Sequence, residues 1–448
     1  MKPEPDKKIY TASILLTTPE KEPVKNGALL IENDLIADIG KKDELLKKYP
    51  DVHCVELENK LLMPGLVNTH THLNMAILRG LAEDLPLREW LDETYRFRQD
   101  YLDDETRRLG VRLSLAELIK NGVTTVGDMS FYQNRFIDLI HKSGIRALLY
   151  DTIMAEYMDT DRPQEIIDFI DQKHPETITA GAAIHAPYSS DERLLKWFEK
   201  EIIKNSPVPY CIHLAETRRE NNDFIKKYRK SSTYWLNDYN FLSNRLLAIH
   251  CVWLTDNDIK LLASHNSAIS YNPESNMKLG SGIAPVDKFL KSGLRVGLGT
   301  DGAASNNDLD LLAEIDSAGK LQKVNRLDPE LMTARTLVKM ATSGGTEALG
   351  MKKTGSLQPG KQADFITIDI NRAHLRPIYD VYSLLCYSAT GSDVRDVWVA
   401  GKQLMREKKL LTLDEKRLIE DINKANYKIN TLRRKKQNYK RSTVNKTG

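Results

Sequence analysis

Pro64-Gly65-Leu66-Val67-Asn68-Thr69-His70-Thr71-His72 is the stretch that decides how this chain folds. A Pro-Gly turn is followed by a short apolar run, and the run ends in two histidines two places apart. In an extended strand residues i and i+2 share a face, so His70 and His72 can grip one ion together. From Leu61 onward the pattern of strand, loop and helix repeats. Strands are expected at Leu62–Asn68, Thr124–Asp128, Ala147–Thr152, Thr179–Ile184, Tyr210–Leu214, Leu246–Ile249, Ala268–Tyr271 and Arg295–Leu298. Between them, stretches such as Asp104–Asn121 and Asp191–Asn205 carry apolar residues at helical spacing. Eight such alternations predict an α/β protein built on a closed parallel (β/α)8 barrel. No GxGxxG fingerprint follows any strand, which argues against an open dinucleotide-binding sheet.

On either side of this region the pattern changes. Ile9–Thr17, Gly27–Ile31 and Leu35–Ile39 read as short strands before the barrel. After Gly350, Ala363–Asp369 and Val394–Val399, turning at Ala400-Gly401-Lys402, read as paired strands without helices. Residues 1–60 and 353–410 are therefore expected to form one small β-sandwich from both chain ends, with the barrel over 61–352. Residues 411–448 are expected to form a terminal helix and a basic tail. Thr412 with Glu415 reads as a capping box, and Ile419, Ile422, Ile429 and Leu432 as an apolar stripe.

Composition excludes several classes. Of 448 residues 41% are hydrophobic and 28% charged, the profile of a soluble globular protein. No acid follows Asp421, and the far C-terminus carries seven cations (Arg433, Arg434, Lys435, Lys436, Lys440, Arg441 and Lys446); setting these aside turns a net charge of +3 into about −4 for the rest. A mildly acidic body lacks the basic face that phosphate binding needs, so no nucleic-acid partner is expected, and the basic end reads as a solvated, frayed terminus. The N-terminus has no apolar signal region and no run is long enough to span a membrane. The four cysteines form no CxxC pair. These features fit a cytoplasmic protein without a membrane partner.

Five of the ten histidines stand where an expected barrel strand ends: His70, His72, His185, His213 and His250; Asp301 closes the eighth strand. The C-terminal strand ends of such a barrel form its active-site face, so these side chains converge on one pocket. His70, His72 and His213 with Asp301 make a nitrogen-rich, mixed N/O set that suits one Zn2+, with Fe2+ or Mn2+ as alternatives. Glu216, three residues past His213, is placed to shuttle a proton. His250 is either a fourth nitrogen near the metal or a base that positions water. His185 is a substrate contact or a structural residue.

The motifs just quoted, together with His185-Ala186-Pro187-Tyr188, His213-Leu214-Ala215-Glu216-Thr217, His250-Cys251-Val252 and Gly299-Thr300-Asp301-Gly302, resemble the amidohydrolase superfamily. More narrowly, the chain is similar to the branch of 5-methylthioadenosine/S-adenosylhomocysteine deaminases, guanine deaminases and triazine hydrolases, over about residues 8–410. Leu78-Arg79-Gly80, Glu89-Trp90-Leu91, Asn272 to Leu279 and Ser305-Asn306-Asn307 add to the likeness.

The resemblance implies a distorted barrel with a discontinuous β-sandwich and one metal on His70, His72, His213 and Asp301. No lysine lies in the fourth strand, which argues against a carbamylated-lysine pair of metals. It implies proton management by Glu216, His250 and Asp301, and substrate contacts at Trp90, Gln99, His185, Glu216 and Ser305. The implied reaction is hydrolytic deamination of an adenine-type nucleoside by a homo-oligomeric enzyme. Two alternatives are hydrolysis of another nitrogen-rich ring (guanine, pterin or s-triazine) and a non-catalytic scaffold. Two positions depart from the deaminase pattern. Gln99 stands where a glutamate is expected at the ribose, and Asp151 stands near an expected carboxylate-binding arginine, for which Arg162 or Arg96 are substitutes.

Overall fold

Gly65 is the joint of the molecule. In the computed structural model, which describes residues 6–444, the strand Cys54–Pro64 belongs to a terminal sheet and Leu66–Thr71 opens the barrel. A Cβ on Gly65 would lie 2.0 Å from Thr124 Oγ1, so only glycine lets the second barrel strand pass this close. The expected first strand, Leu62–Asn68, straddles this break. Leu61, Leu62, Leu66 and Val67 are all buried, so one apolar run hides two strands.

The eight barrel strands are Leu66–Thr71, Val123–Ser130, Arg146–Ile153, Ile178–Ile184, Tyr210–Leu214, Leu246–His250, Ala268–Tyr271 and Arg295–Leu298. They pair in chain order, all parallel. Two places distort the cylinder. The fourth and fifth strands pair only at Ala182–Tyr210 and Ala183–Cys211. The eighth meets the first through Thr69 Oγ1 donating to Leu298 O at 2.9 Å and Asp301 N donating to His70 O at 3.0 Å. Val67, Met129, Leu148, Tyr150, Ala183, Cys211 and Leu247 pack as one of the buried clusters. The Cys211 side chain belongs to that cluster as a small core residue.

Both chain ends build the second sheet. Its order is Lys409–Leu410, Lys402–Arg406, Val394–Val399, Phe365–Asp369, Cys54–Pro64, Lys7–Leu15, Val24–Glu32 and Leu35–Lys41. Lys7–Leu15 runs parallel to Cys54–Pro64 and the other pairs are antiparallel. Tyr10, Phe365 and Trp398 fill its core, the last two stacked with centroids 4.4 Å apart. Asp364 docks this sheet on the barrel by a two-pronged ion pair with Arg146, at 2.7 and 3.0 Å.

Four expectations change near the C-terminus. A helix, Val381–Tyr387, interrupts the region read as strands alone, where Asp380 accepts from Ser383 N as its cap. The terminal helix, Glu415–Val444, is capped by Asp414, whose carboxylate accepts from Arg417 N at 3.0 Å; the Thr412 hydroxyl donates to Ser143 O instead. Its packed face is Leu418, Ile422, Ala425 and Ile429, while Ile419 and Leu432 are exposed. The backbone is helical through Val444, where a frayed end was expected; the basic side chains from Arg434 onward lie outside the described residues. No helix among the described residues is long and apolar enough to cross a membrane.

Candidate active site

The strand ends turn sharply before they deliver their side chains. His250 has φ +68° and Asp301 φ +58°, left-handed backbone that costs on the order of 1–3 kcal/mol at a non-glycine residue. Neighbouring backbone holds both turns: Cys251 N donates to Leu214 O and Asp301 N to His70 O, each at 3.0 Å. Gly299 is needed beside them, since a Cβ there would sit 2.8 Å from the His70 amide and Asn272 Nδ2. Local strain is thus held in place by packing around one cluster.

Four imidazoles and one carboxylate meet there. His70 Nε2 lies 3.4 Å from His213 Nε2 and 3.2 Å from Asp301 Oδ1, which is 3.3 Å from His72 Nε2. His70, His72 and His213 offer ligand atoms within 4.8 Å of one another, and so do His70, His250 and Asp301. The rings are aimed from behind. The His72 Nδ1–H donates to Met129 O, which turns a bare Nε2 lone pair inward. Asn276 Nδ2 lies 3.0 Å from His250 Nδ1 and fixes that ring with Nε2 towards Glu216, 3.7 Å from its Oε2. Asp301 accepts from Ser275 Oγ at 2.7 Å, Ser305 Oγ at 2.8 Å and Gly302 N at 2.8 Å.

Burial sets the protonation states. It drives His213 well below the ordinary imidazole range, with the surrounding rings adding to the effect, and pushes His250 down to about 3 and His185 down to about 4. Burial works against ionisation of Asp301, but the hydrogen bond to His70 and the adjacent imidazoles outweigh it and hold the carboxyl well below its usual value. Neutral imidazoles with inward lone pairs beside one carboxylate fit a divalent cation that takes nitrogen and oxygen ligands. Glu216 goes the other way. Burial, and after it the charges of Asp301 and Glu220, raise its carboxyl well above the ordinary range. Burial pushes Glu220 up to about 7.

The cluster forms the floor of a cavity of about 450 Å3, of which Trp90, Gln99, His185 and Glu216 line the walls. Ser305, expected against the substrate, is a correction. It is buried, and its hydroxyl is spent on Asp301 Oδ2 and Gly302 O. Neither substitute cation reaches the cavity. Arg162 is buried in an ion pair with Asp151 and stacks on Tyr132, and Arg96 points outward beside Glu93. The residues that orient the cluster were not singled out from sequence. Ser275 and Asn276 sit in the Asn272-to-Leu279 stretch that carries the resemblance. Asp128, which accepts from Leu73 N just after His72, closes the expected second strand and so had a positional signal of its own.

Comparison with known proteins agrees with this picture. A profile of the Amidohydrolase family matches residues 61–404. The chain is 40% identical to the 5-methylthioadenosine/S-adenosylhomocysteine deaminase of Thermodesulfovibrio yellowstonii, over 92% of this chain and 96% of the relative. It is 39% identical to the 5'-deoxyadenosine deaminase of Methanosarcina barkeri, over 93% and 96%. Among solved structures, an adenosine deaminase from Xanthomonas campestris with bound zinc superposes with a TM-score of 0.88 at 29% identity, covering 96% of this chain and 100% of that one. Barrel, terminal sheet, strand-end cluster and relatives converge on one conclusion: the chain belongs to the amidohydrolase family.

Proposed function

We propose that the chain is a metal-dependent hydrolytic deaminase that converts an adenine-type nucleoside derivative (5-methylthioadenosine, S-adenosylhomocysteine or an adenosine-like compound) to the inosine-type product and ammonia. The observation that carries this reading is Glu216: a buried carboxyl whose hold on its proton burial raises well above the ordinary range, 3.7 Å from His250 and on the wall of a cavity that Trp90 also lines. The names of the relatives support the substrate class. His70, His72, His213 and Asp301 would hold one ion, and the nitrogen-rich set favours Zn2+.

A bound divalent ion supplies Lewis acidity that brings the pKa of water to about 7. The chain does the rest. Trp90 gives the ring a flat apolar wall and, with His185, sets its position over the cluster. Glu216 donates its proton to a ring nitrogen, so the ring escapes negative charge as water adds to the amino-bearing carbon. His250 and Asp301 take one proton from that water and pass it to the amino group, which leaves as ammonia. The second water proton returns to Glu216 as the carbonyl forms. The ring nitrogen keeps the proton it received, and the enzyme is restored.

The test is ammonia release by zinc-reconstituted protein from 5-methylthioadenosine, S-adenosylhomocysteine, adenosine and guanine. The expected result is turnover of one or more of the three adenine compounds. Turnover of guanine alone, or of none of the four by the metal-loaded protein, contradicts the reading.

A further inference from the structure

Among the described residues, two arginines on the cavity walls have no acidic partner. Elsewhere, buried arginines of this protein are paired: Arg146 with Asp364 at 2.7 Å, and Arg162 with Asp151. Of the three arginines that line the cavity, Arg135 is also paired, with Asp104 at 2.7 Å. Arg98 and Arg107 are different. Arg98, on the helix Leu87–Tyr101, makes no side-chain hydrogen bond or ion pair among the described residues. Arg107, on the next helix, Asp104–Lys120, donates one long bond of 3.4 Å from Nη2 to Arg98 O, and its Nε is buried without a partner. Burial, and after it the neighbouring charge of Arg107, disfavours the charged form of Arg98.

A guanidinium removed from water without a counter-charge is costly, and a second beside it makes matters worse. The same pair becomes favourable once an anion enters between them, because guanidinium N–H groups match carboxylate and phosphate oxygens in pairs. The location fits a ligand. Both arginines line the same cavity as His185, whose ring lies 5.2 Å from that of His213. They therefore share one cavity with the metal-type cluster, within the space that the part of a nucleoside away from its reacting ring would fill. Meanwhile the end of the third strand, where Asp151 has captured Arg162, offers no free cation.

The geometry points to Arg98 and Arg107 as an anion subsite on the wall formed by the two helices, so that the preferred substrate carries an acidic group, carboxylate or phosphate, on the sugar side of its nucleoside. This rests on the deaminase reading for the ring end of the cavity. Gln99, the next residue along the helix, also lines the cavity and can hydrogen-bond a sugar hydroxyl without adding a negative charge beside the arginines.

The experiment measures kcat/KM of the zinc-loaded protein for 5-methylthioadenosine, whose tail is neutral, S-adenosylhomocysteine, which ends in a carboxylate, and adenosine 5'-monophosphate. Wild type is compared with Arg98→Gln, Arg107→Gln and the double variant. The expected result is a fall of about 10- to 100-fold in the ratio of one acidic-tailed substrate to the neutral one, through KM, in each variant. Which acidic substrate responds tells carboxylate from phosphate. An unchanged ratio, or a loss equal for all three substrates, overturns the proposal. Calorimetry on the metal-free protein separates it from the deaminase reading, with adenosine 5'-monophosphate and S-adenosylhomocysteine as probes. Binding of either that weakens about tenfold or more in the double variant supports the subsite even if no ammonia is released. Equal binding by wild type and the double variant, or no binding of either probe to the wild type, counts against it.

Discussion

Glu216, just past the end of the fifth strand, is raised by burial where Asp301 beside it is held down, and its replacement is the sharpest test at the scale of single residues. Glu216→Gln is expected to retain bound metal while kcat falls by about 10²–10⁴-fold, as for loss of a general acid. Metal analysis and steady-state kinetics on one preparation check it, and a parallel loss of metal would contradict the assignment. Ser305→Ala should act differently, because that hydroxyl holds Asp301 Oδ2 at 2.8 Å and does not line the cavity. The expected effect is about 10–100-fold weaker metal affinity, read by competition with a chelator. Glu220 supplies a pH prediction. Its carboxyl is raised to about 7 by burial, so the folded state holds a proton that the unfolded chain releases near its ordinary value of 4.5. Stability is therefore gained below that value and lost as pH rises towards 7, and Glu220→Gln should flatten this decline in a series of denaturant melts. Histidines and Asp301 could be read from sequence because strand ends announce them. Ser305 was misplaced because its neighbourhood carried the signal, while the direction of its hydroxyl depends on the left-handed turn at Asp301.

At the scale of elements, apolar periodicity located the barrel strands but not the junction at Gly65, where both sides of the joint are buried. It also misread the terminal helix. Ile419 and Leu432 are as apolar as Ile429, yet the packed face is set by what the helix Asp104–Lys120 and the cluster around Trp90 and Phe97 offer it. Ile429 packs with Trp90 and Phe97, Lys428 pairs with Asp103 at 3.1 Å, and Arg433 lies over the Phe97 ring. The terminal helix thus backs the cavity wall from outside. Ile429→Ala should lower stability by about 2–4 kcal/mol, as for a buried large-to-small change. It should also raise KM more than it lowers kcat, since Trp90 touches the substrate side and not the proton donors. Ile419→Ala, on the exposed face, serves as the control and should leave both stability and kinetics nearly unchanged.

For the molecule as a whole, the Arg146–Asp364 pair joins the barrel to a sheet contributed by both chain ends, with both partners buried. Asp364→Ala leaves an uncompensated guanidinium there and should cost about 3–5 kcal/mol, seen as a lowered Tm. That the two ends of the chain make one sheet was legible from composition and position alone: strand-rich segments without barrel helices lie at both ends. The pairing of Lys7–Leu15 with Cys54–Pro64, and the helix Val381–Tyr387 between later strands, depend on tertiary contacts that no local pattern records. In the proposed function, one ion held by the strand-end cluster supports hydrolytic deamination. The most direct measurement strips the protein of metal and titrates zinc back while ammonia release from 5-methylthioadenosine or S-adenosylhomocysteine is followed. No turnover is expected without metal, and a linear return that breaks at one equivalent per chain. Full turnover by the stripped protein, or a break at two equivalents, would contradict it.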